Sequence, residues 1–326
     1  MVGAGSWGTA AAGLAAHAAD VRLWARRSDL ADAINATRRN PDYLPDTALP
    51  ESVTATADLA AAATGADVIV MAVPSHGYRE VLEKLTSVVA PSTPIISLAK
   101  GIEQSTLMRM TEVTADVLPD HAPGVIGVLT GPNLAREIAA GQPAASVVAV
   151  GDDDVALEIQ RLFMSPRFRV YTNPDVVGCE AAGALKNVMA IASGMAHGLG
   201  FGDNTTATLI TRALSELSRL GVAMGGKAAT FAGLAGMGDL IATCVSSKSR
   251  NHTVGFGLGQ GRALDDVISE MNMVAEGVKS TRGVLALAER HDVEMPIAEQ
   301  VGRVLYEAAS AADALTTLMT RAPSAE

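Results

Sequence analysis

Three glycines in the opening stretch MVGAGSWGTA constrain the fold of this chain more than any other feature. Gly3, Gly5 and Gly8 have the G-x-G-x-x-G spacing of a turn that leaves a strand, opens a helix and seats a dinucleotide's pyrophosphate on the helix's first amides. The spacing alone is a weak signal in a chain with 31 glycines. The residues beyond the turn strengthen it. Apolar runs at "DVRLWARR", "ADVIVMAVPSH", "TPIISLAKGIE", "GVIGVLTGPN", "PAASVVAVG" and "RFRVYTN" read as strands, several of them buried on both faces, with helix-prone stretches between them. Such alternation predicts an α/β fold: a Rossmann-type, mostly parallel sheet with helices on both faces, over residues 1–178.

The texture changes at Cys179, beyond which no stretch reads as a strand. Apolar residues recur at helical spacing through 206–220, 267–273, 281–288 and 297–318, separated by Gly-rich breaks at "MGGK", "GMGD" and "GQGR". Residues 179–326 are therefore expected to form an all-helical domain.

Composition narrows the function. A formal charge of −10 argues against nucleic acid, whose phosphates demand clustered Lys and Arg. Cys179 and Cys244 make neither a disulfide framework nor a metal-type spacing, so both are expected as reduced core residues, with no metal site. The absence of a signal sequence or a membrane-spanning run leads to the expectation of a soluble, cytoplasmic protein.

Candidate site residues fall at two ends. In the opening turn a hydroxyl (Ser6) and an indole N–H (Trp7) are placed to touch a dinucleotide. After the second strand, where an acidic residue would bind a ribose 2′-hydroxyl, stand Arg26 and Arg27, which suit a 2′-phosphate and favour NADP(H). Asp29 is near enough to keep NAD(H) open. Three loops after apolar strands, "VPSH", "LAKGIE" and "LTGPNLA", are expected at the crevice where such sheets bind ligands, and they bring His76 and Lys100.

Lys186 lies in "CEAAGALKNVMAIASGMAHG", a helix of small and apolar side chains, and Lys is almost never fully buried without a partner. Burial and a second nearby cation would both favour its neutral amine and suit it to accept a proton. Ser249, Arg250 and Asn251 supply a hydroxyl, a guanidinium fork and an amide in succession, a donor set for phosphate. Asp239 either orients Lys186, accepts a substrate hydroxyl or caps a helix.

Taken together, "GAGSWGTA", "VPSH", "LAKGIE", "LTGPNLAREIAAGQPAA", "EAAGALKNVMAIASGM", "GLGFGDNTTATLITRALSE", "TFAGLAGMGDLIATC", "SRNHTVG" and "VAEGV" resemble the bacterial NAD(P)-dependent glycerol-3-phosphate dehydrogenases, in order along nearly the whole chain. The resemblance implies interconversion of sn-glycerol 3-phosphate and dihydroxyacetone phosphate, supplying the backbone of phospholipids. It implies cofactor contacts at Ser6, Trp7, Arg26, Arg27, Tyr43, Lys100, Ala135, Arg250, Val274 and Glu276 beside the three glycines. It implies substrate contacts at Lys100, Gly131, Asn133, Lys186, Asp239, Ser249, Arg250 and Asn251, with Lys186 as the proton acceptor. A homodimer is expected, closed two-fold symmetry being commonest. One departure from the family pattern is that only Met1 and Val2 precede the glycines. That predicts a clipped first strand whose neighbours have unpaired backbone groups, with lower stability or weaker cofactor binding as the result.

Overall fold

The computed structural model describes residues 1–271 and 275–322. The chain divides into two compact units, Met1–Glu103 with Met108–Glu180, and Gln104–Leu107 with Ala181–Glu326.

In the first unit the strands are β1 (Val21–Trp24), β2 (Val53–Thr56), β3 (Ile69–Met71), β4 (Ile95–Ser97), β5 (Ile126–Thr130), β6 (Ala144–Val150) and β7 (Phe168–Asn173). They alternate with helices α1 (Ser6–Ala15), α2 (Ser28–Thr37), α3 (Leu59–Ala63), α4 (Tyr78–Glu83), α5 (Met110–Val117), α6 (Ala135–Ala139) and α7 (Asp153–Phe163). β1 pairs with β2, and β3 to β7 lie in sequence order; every pairing is parallel except β5 with β6. Val2 bridges Trp24 of β1 and Met71 of β3, so the glycine turn springs from the middle of the sheet.

Strand periodicity accounts for the two-sided core. Successive side chains point to opposite faces, so Val70 and Ile96 join one buried cluster while Ile69, Met71 and Ile95 join the other. Both clusters are almost wholly aliphatic, which is why these strands read as continuous apolar runs.

Two local features depart from the sequence reading. The clipped strand implies unpaired groups on its neighbours, but the short segment serves both of them. Val2 N–H donates to Val70 O at 2.8 Å and Ala72 N–H donates to Val2 O at 2.8 Å, while Gly3 N–H donates to Trp24 O at 3.1 Å and Trp24 N–H to Met1 O at 2.8 Å. The second feature is β2, which the sequence reading passed over. It is an edge strand with half its residues threonine, and only Val53 and Ala55 face the core.

Helix α8 (Val176–Gly198) starts in the first unit and continues into the second. The second unit adds α9 (Asp203–Ala223), α10 (Ala228–Phe231), α11 (Asp239–Val245), α12 (Arg250–Gly259), α13 (Leu264–Ser269), α14 (Glu276–Arg290), α15 (Pro296–Tyr306) and α16 (Ala311–Met319). α8 and α12 cross with their backbones nearly touching. A methyl group on Gly194 would come within 2.1 Å of His252 O, and one on Gly255 within 2.0 Å of Ile191 O, so only glycine permits the contact. α8 is long and apolar enough to cross a membrane, yet 89% of its most apolar 18-residue window is buried inside the protein; the stretch Ala228–Val245 also has such a composition and is broken at Ala232 and Gly233.

Two expectations about the helices are corrected. "GMGD" is not a break: Leu234–Gly238 form a π-helical turn that runs directly into α11. The single periodic stretch 297–318 is two helices, divided where Ala308 takes a left-handed φ of 57° and Ser310 caps α16.

Glu216 on α9 is buried and accepts the N–H groups of Ile297, at 2.8 Å, and Ala298, at 3.4 Å, closing the first turn of α15. Burial pushes its carboxyl up from 4.5 to about 7, against the two amide hydrogen bonds. The folded protein then holds a proton that the unfolded chain has already lost. Its contribution to stability is full below pH 4.5, declines as the pH rises to about 7, and is level beyond. Denaturant midpoints followed across that window should show the wild type losing stability relative to Glu216→Gln; parallel curves would refute this.

Candidate active site

The opening turn has the features a dinucleotide needs. Gly3 takes φ +119°, and a side chain there would meet Ala72 O at 2.8 Å; at Gly8 a Cβ would lie 2.0 Å from Gly3 O. At Gly5 nothing lies within 4 Å of that position, which leaves space for a ligand against the backbone. Gly5 is the N-cap of α1, and the first amides of a helix lack an intrahelical acceptor. The Trp7 indole Nε1–H is buried with no hydrogen-bond partner, a donor that a ligand would satisfy. These features fit a bound pyrophosphate.

The loop after α2 braces the turn. Asn40 is fully buried and donates to Ala4 O at 2.9 Å and to Thr9 Oγ1 at 2.8 Å, and its Oδ1 accepts the amide of Tyr43 at 3.2 Å. Nothing in the sequence marks Asn40 for this role, because a polar residue in a Pro-rich loop has no periodicity. Tyr43 and Trp7 each pack against the same core cluster. Arg26 and Arg27 are both exposed after β1, and Arg27 is ion-paired with Asp42 and, at 3.7 Å, with Asp29. The cations expected for a 2′-phosphate therefore share their surface with two carboxylates.

At the carboxyl ends of β4 and β5 the loops meet. Lys100 is half-buried and its Nζ donates to Gly131 O at 2.9 Å. Asn133 Nδ2 donates to Ser146 Oγ at 3.0 Å, while its buried Oδ1 has no protein partner. Ala135 opens α6. His76 lies exposed in a single 3₁₀ turn that has no side-chain cap.

In the second unit Lys186 is 5% exposed, and its Nζ donates to Asp239 Oδ1 at 2.8 Å and to Thr243 Oγ1 at 2.5 Å. The Thr243 hydroxyl gives its own proton to Asp239 O at 2.6 Å, so its lone pair receives the Lys186 proton. An ammonium has three donors; these bonds use two of them. Within its own unit this amine meets a carboxylate. Of the three roles open to Asp239, the one seen is to orient Lys186.

Ser249, Arg250 and Asn251 read as a loop in the sequence; in the structure they start α12. Ser249 is the N-cap, accepting His252 N–H at 3.3 Å, and the exposed Arg250 and buried Asn251 form the first turn. A helix start attracts anions. Asn251 donates to Asn187 Oδ1 at 2.9 Å and accepts Gly277 N–H at 2.9 Å, tying α8, α12 and the head of α14 together. Glu276 is the first residue of α14, and Val274 lies outside the described residues.

Two family models cover this chain: the NAD-dependent glycerol-3-phosphate dehydrogenase N-terminus over residues 1–156 and its C-terminus over 175–316. The chain belongs to the NAD-dependent glycerol-3-phosphate dehydrogenase family. Glycerol-3-phosphate dehydrogenase [NAD(P)+] 2 of Sphingopyxis alaskensis is 54% identical over 98% of this chain and 95% of that protein. Glycerol-3-phosphate dehydrogenase [NAD(P)+] of Streptomyces avermitilis is 52% identical over 100% and 97%. The crystal structure of glycerol-3-phosphate dehydrogenase from Coxiella burnetii superposes with a TM-score of 0.93 at 38% identity, covering 98% of each chain.

Thr243 and Asn187 complete this family member's second-unit cluster, and neither was singled out from sequence. Thr243 stands four residues after Asp239, on the same face of α11, and Asn187 adjoins Lys186; both spacings were available as signals. The thiols of Cys179 and Cys244 are each pushed up to about 12, in both cases chiefly by burial. They are inert core residues.

Proposed function

We propose that this chain reduces dihydroxyacetone phosphate to sn-glycerol 3-phosphate, and runs the reverse reaction, with NADP(H) preferred over NAD(H). The observation that carries the reading is the buried Lys186–Asp239–Thr243 cluster, in the same unit as a helix start rich in phosphate donors. In this reading Gly3, Gly5, Ser6, Trp7, Gly8, Arg26, Arg27, Tyr43, Lys100, Ala135, Arg250, Val274 and Glu276 hold the dinucleotide. When bound, its nicotinamide exchanges a hydride with C2 of the substrate.

The chain's own residues do the rest. Arg250 grips the phosphate with Ser249 and Asn251, so binding energy far from C2 positions the reacting carbon. Lys186 gives its third proton to the C2 oxygen as that oxygen becomes an alkoxide, and recovers it in the oxidative direction. Asp239 and Thr243 aim the amine. Lys100 donates to the same developing charge, with Gly131 and Asn133 beside it contacting the substrate.

The protein is further proposed to act in the cytoplasm, as a homodimer, in the supply of glycerol 3-phosphate for phospholipids. Loss of the NADPH absorbance band with dihydroxyacetone phosphate, repeated with NADH and with a 2-keto acid, tests the central reading. Turnover confined to the keto acid would overturn it. Slower turnover with NADPH than with NADH would overturn the cofactor preference alone.

A further inference from the structure

A pair of histidines lies behind the phosphate-binding turn. His197 on α8 and His252 on α12 are hydrogen-bonded, Nδ1 to Nε2, at 2.6 Å, with ring centroids 4.9 Å apart. His197 Nε2 is 2.9 Å from Thr206 Oγ1 on α9, and the Thr206 hydroxyl donates to Gly202 O at 3.2 Å.

That last bond sets the direction of the whole chain of bonds. The single Thr206 proton is spent on Gly202, so Thr206 Oγ1 accepts from His197 Nε2–H. His197 Nδ1 is then bare and accepts from His252 Nε2–H. The glycine crossing brings the backbones of α8 and α12 close together beside the two rings. The backbone N–H of His252 in turn donates to Ser249 Oγ, the cap of the turn that carries Arg250 and Asn251.

We propose that His197, acting through His252, is a positioning residue for the anionic end of the substrate, and that a second proton on the pair releases it. This rests on the reading of the α12 start as the phosphate site. One added proton is tolerated, because the pair can reverse its bond and keep one bare nitrogen between the rings. Two set N–H against N–H across 2.6 Å, and the first turn of α12 loses its brace.

On the elements packed against α12, and on α9, the ionisable groups include Arg250 of α12 itself, Asp203 at the exposed head of α9, Asp239 on α11 (already bonded to Lys186), Glu276 at the head of α14, Lys279 further along it, and the exposed Asp265, Asp266 and Asp313 of α13 and α16. His197 is the charge that acts on His252, whose imidazolium form is disfavoured first by burial and then by that neighbour.

The test is the affinity of the full chain for sn-glycerol 3-phosphate, measured by calorimetry, which does not depend on turnover. At pH 8, His197→Ala should weaken binding about fivefold, the effect of losing one hydrogen bond, while NADPH affinity, most of whose contacts lie elsewhere, falls less. His197→Asn puts an acceptor near the position of Nδ1 and should restore wild-type affinity at pH 8. It keeps an acceptor opposite His252 Nε2–H at every pH, so the wild type should weaken more than His197→Asn between pH 8 and 4. The substrate's own phosphate titration is common to both and cancels.

Unchanged affinity in His197→Ala, equal loss of NADPH binding, or the same acid response in wild type and His197→Asn would each overturn the proposal. Failure of the functional reading is separate: it would show as wild-type chain that binds sn-glycerol 3-phosphate without turning over dihydroxyacetone phosphate. A wild type that does not bind sn-glycerol 3-phosphate at all would sink both.

Discussion

Lys186→Ala is expected to lower kcat for dihydroxyacetone phosphate reduction by about 10²-fold or more, the usual loss when a positioned proton donor is removed. The substitution also leaves the Asp239 carboxylate, 2% exposed, without its cation. Uncompensated burial of that kind destabilises a fold, so a second variant is needed to separate chemistry from folding. Lys186→Arg supplies it. The guanidinium keeps a cation against Asp239 but does not release a proton in a protein. It should fold with a melting temperature near that of the wild type and still turn over poorly. Near-normal kcat in either variant would remove Lys186 from the proton-transfer role.

The largest stability effect is expected at Arg109, whose partner Glu180 lies on α8, the helix that also carries Lys186. Arg109 Nη1 is 2.8 Å from Glu180 Oε2, and Thr111 N–H donates to Glu180 Oε1 at 3.0 Å. Both charged side chains are buried, and Glu112 pairs with Arg109 from the more exposed side at 2.9 Å. Burial raises the Glu180 carboxyl, and Arg109 works against that rise. Arg109→Ala leaves this carboxylate near the start of α8 with no cation. The cost should be about 3–5 kcal/mol of unfolding free energy, read from denaturant melts. The double variant Arg109→Met, Glu180→Leu removes both charges together and should lose far less, because no orphaned charge remains. If the single and double variants are equally destabilised, the pair acts through packing and not through charge.

Much of the fold was legible because it rests on local periodicity. The runs at Ile69–Met71, Ile95–Ser97 and Ile126–Thr130 are continuous apolar stretches because each lies between two covered faces. β2 escaped notice for the opposite reason: an edge strand of Thr and small residues has only two buried positions to reveal it. The glycines of the π turn at Leu234–Gly238 resemble a loop in the sequence, although the turn carries Asp239 straight into α11. Ala308 divides two helices by a left-handed backbone that an alanine does not advertise.

By itself the amino-acid order determined the glycine turn, the strand and helix alternation, and the anomaly of one lysine in an apolar helix. Each of these is a pattern over a few neighbouring residues, and short-range sterics and burial suffice to impose it. Only the tertiary structure decided what that lysine touches. Asp239 and Thr243 reach Lys186 across 53 and 57 residues of chain, and His252 reaches His197 across 55. Contacts at such separations depend on where whole helices cross, here through glycines that let two backbones meet, and no local period encodes them.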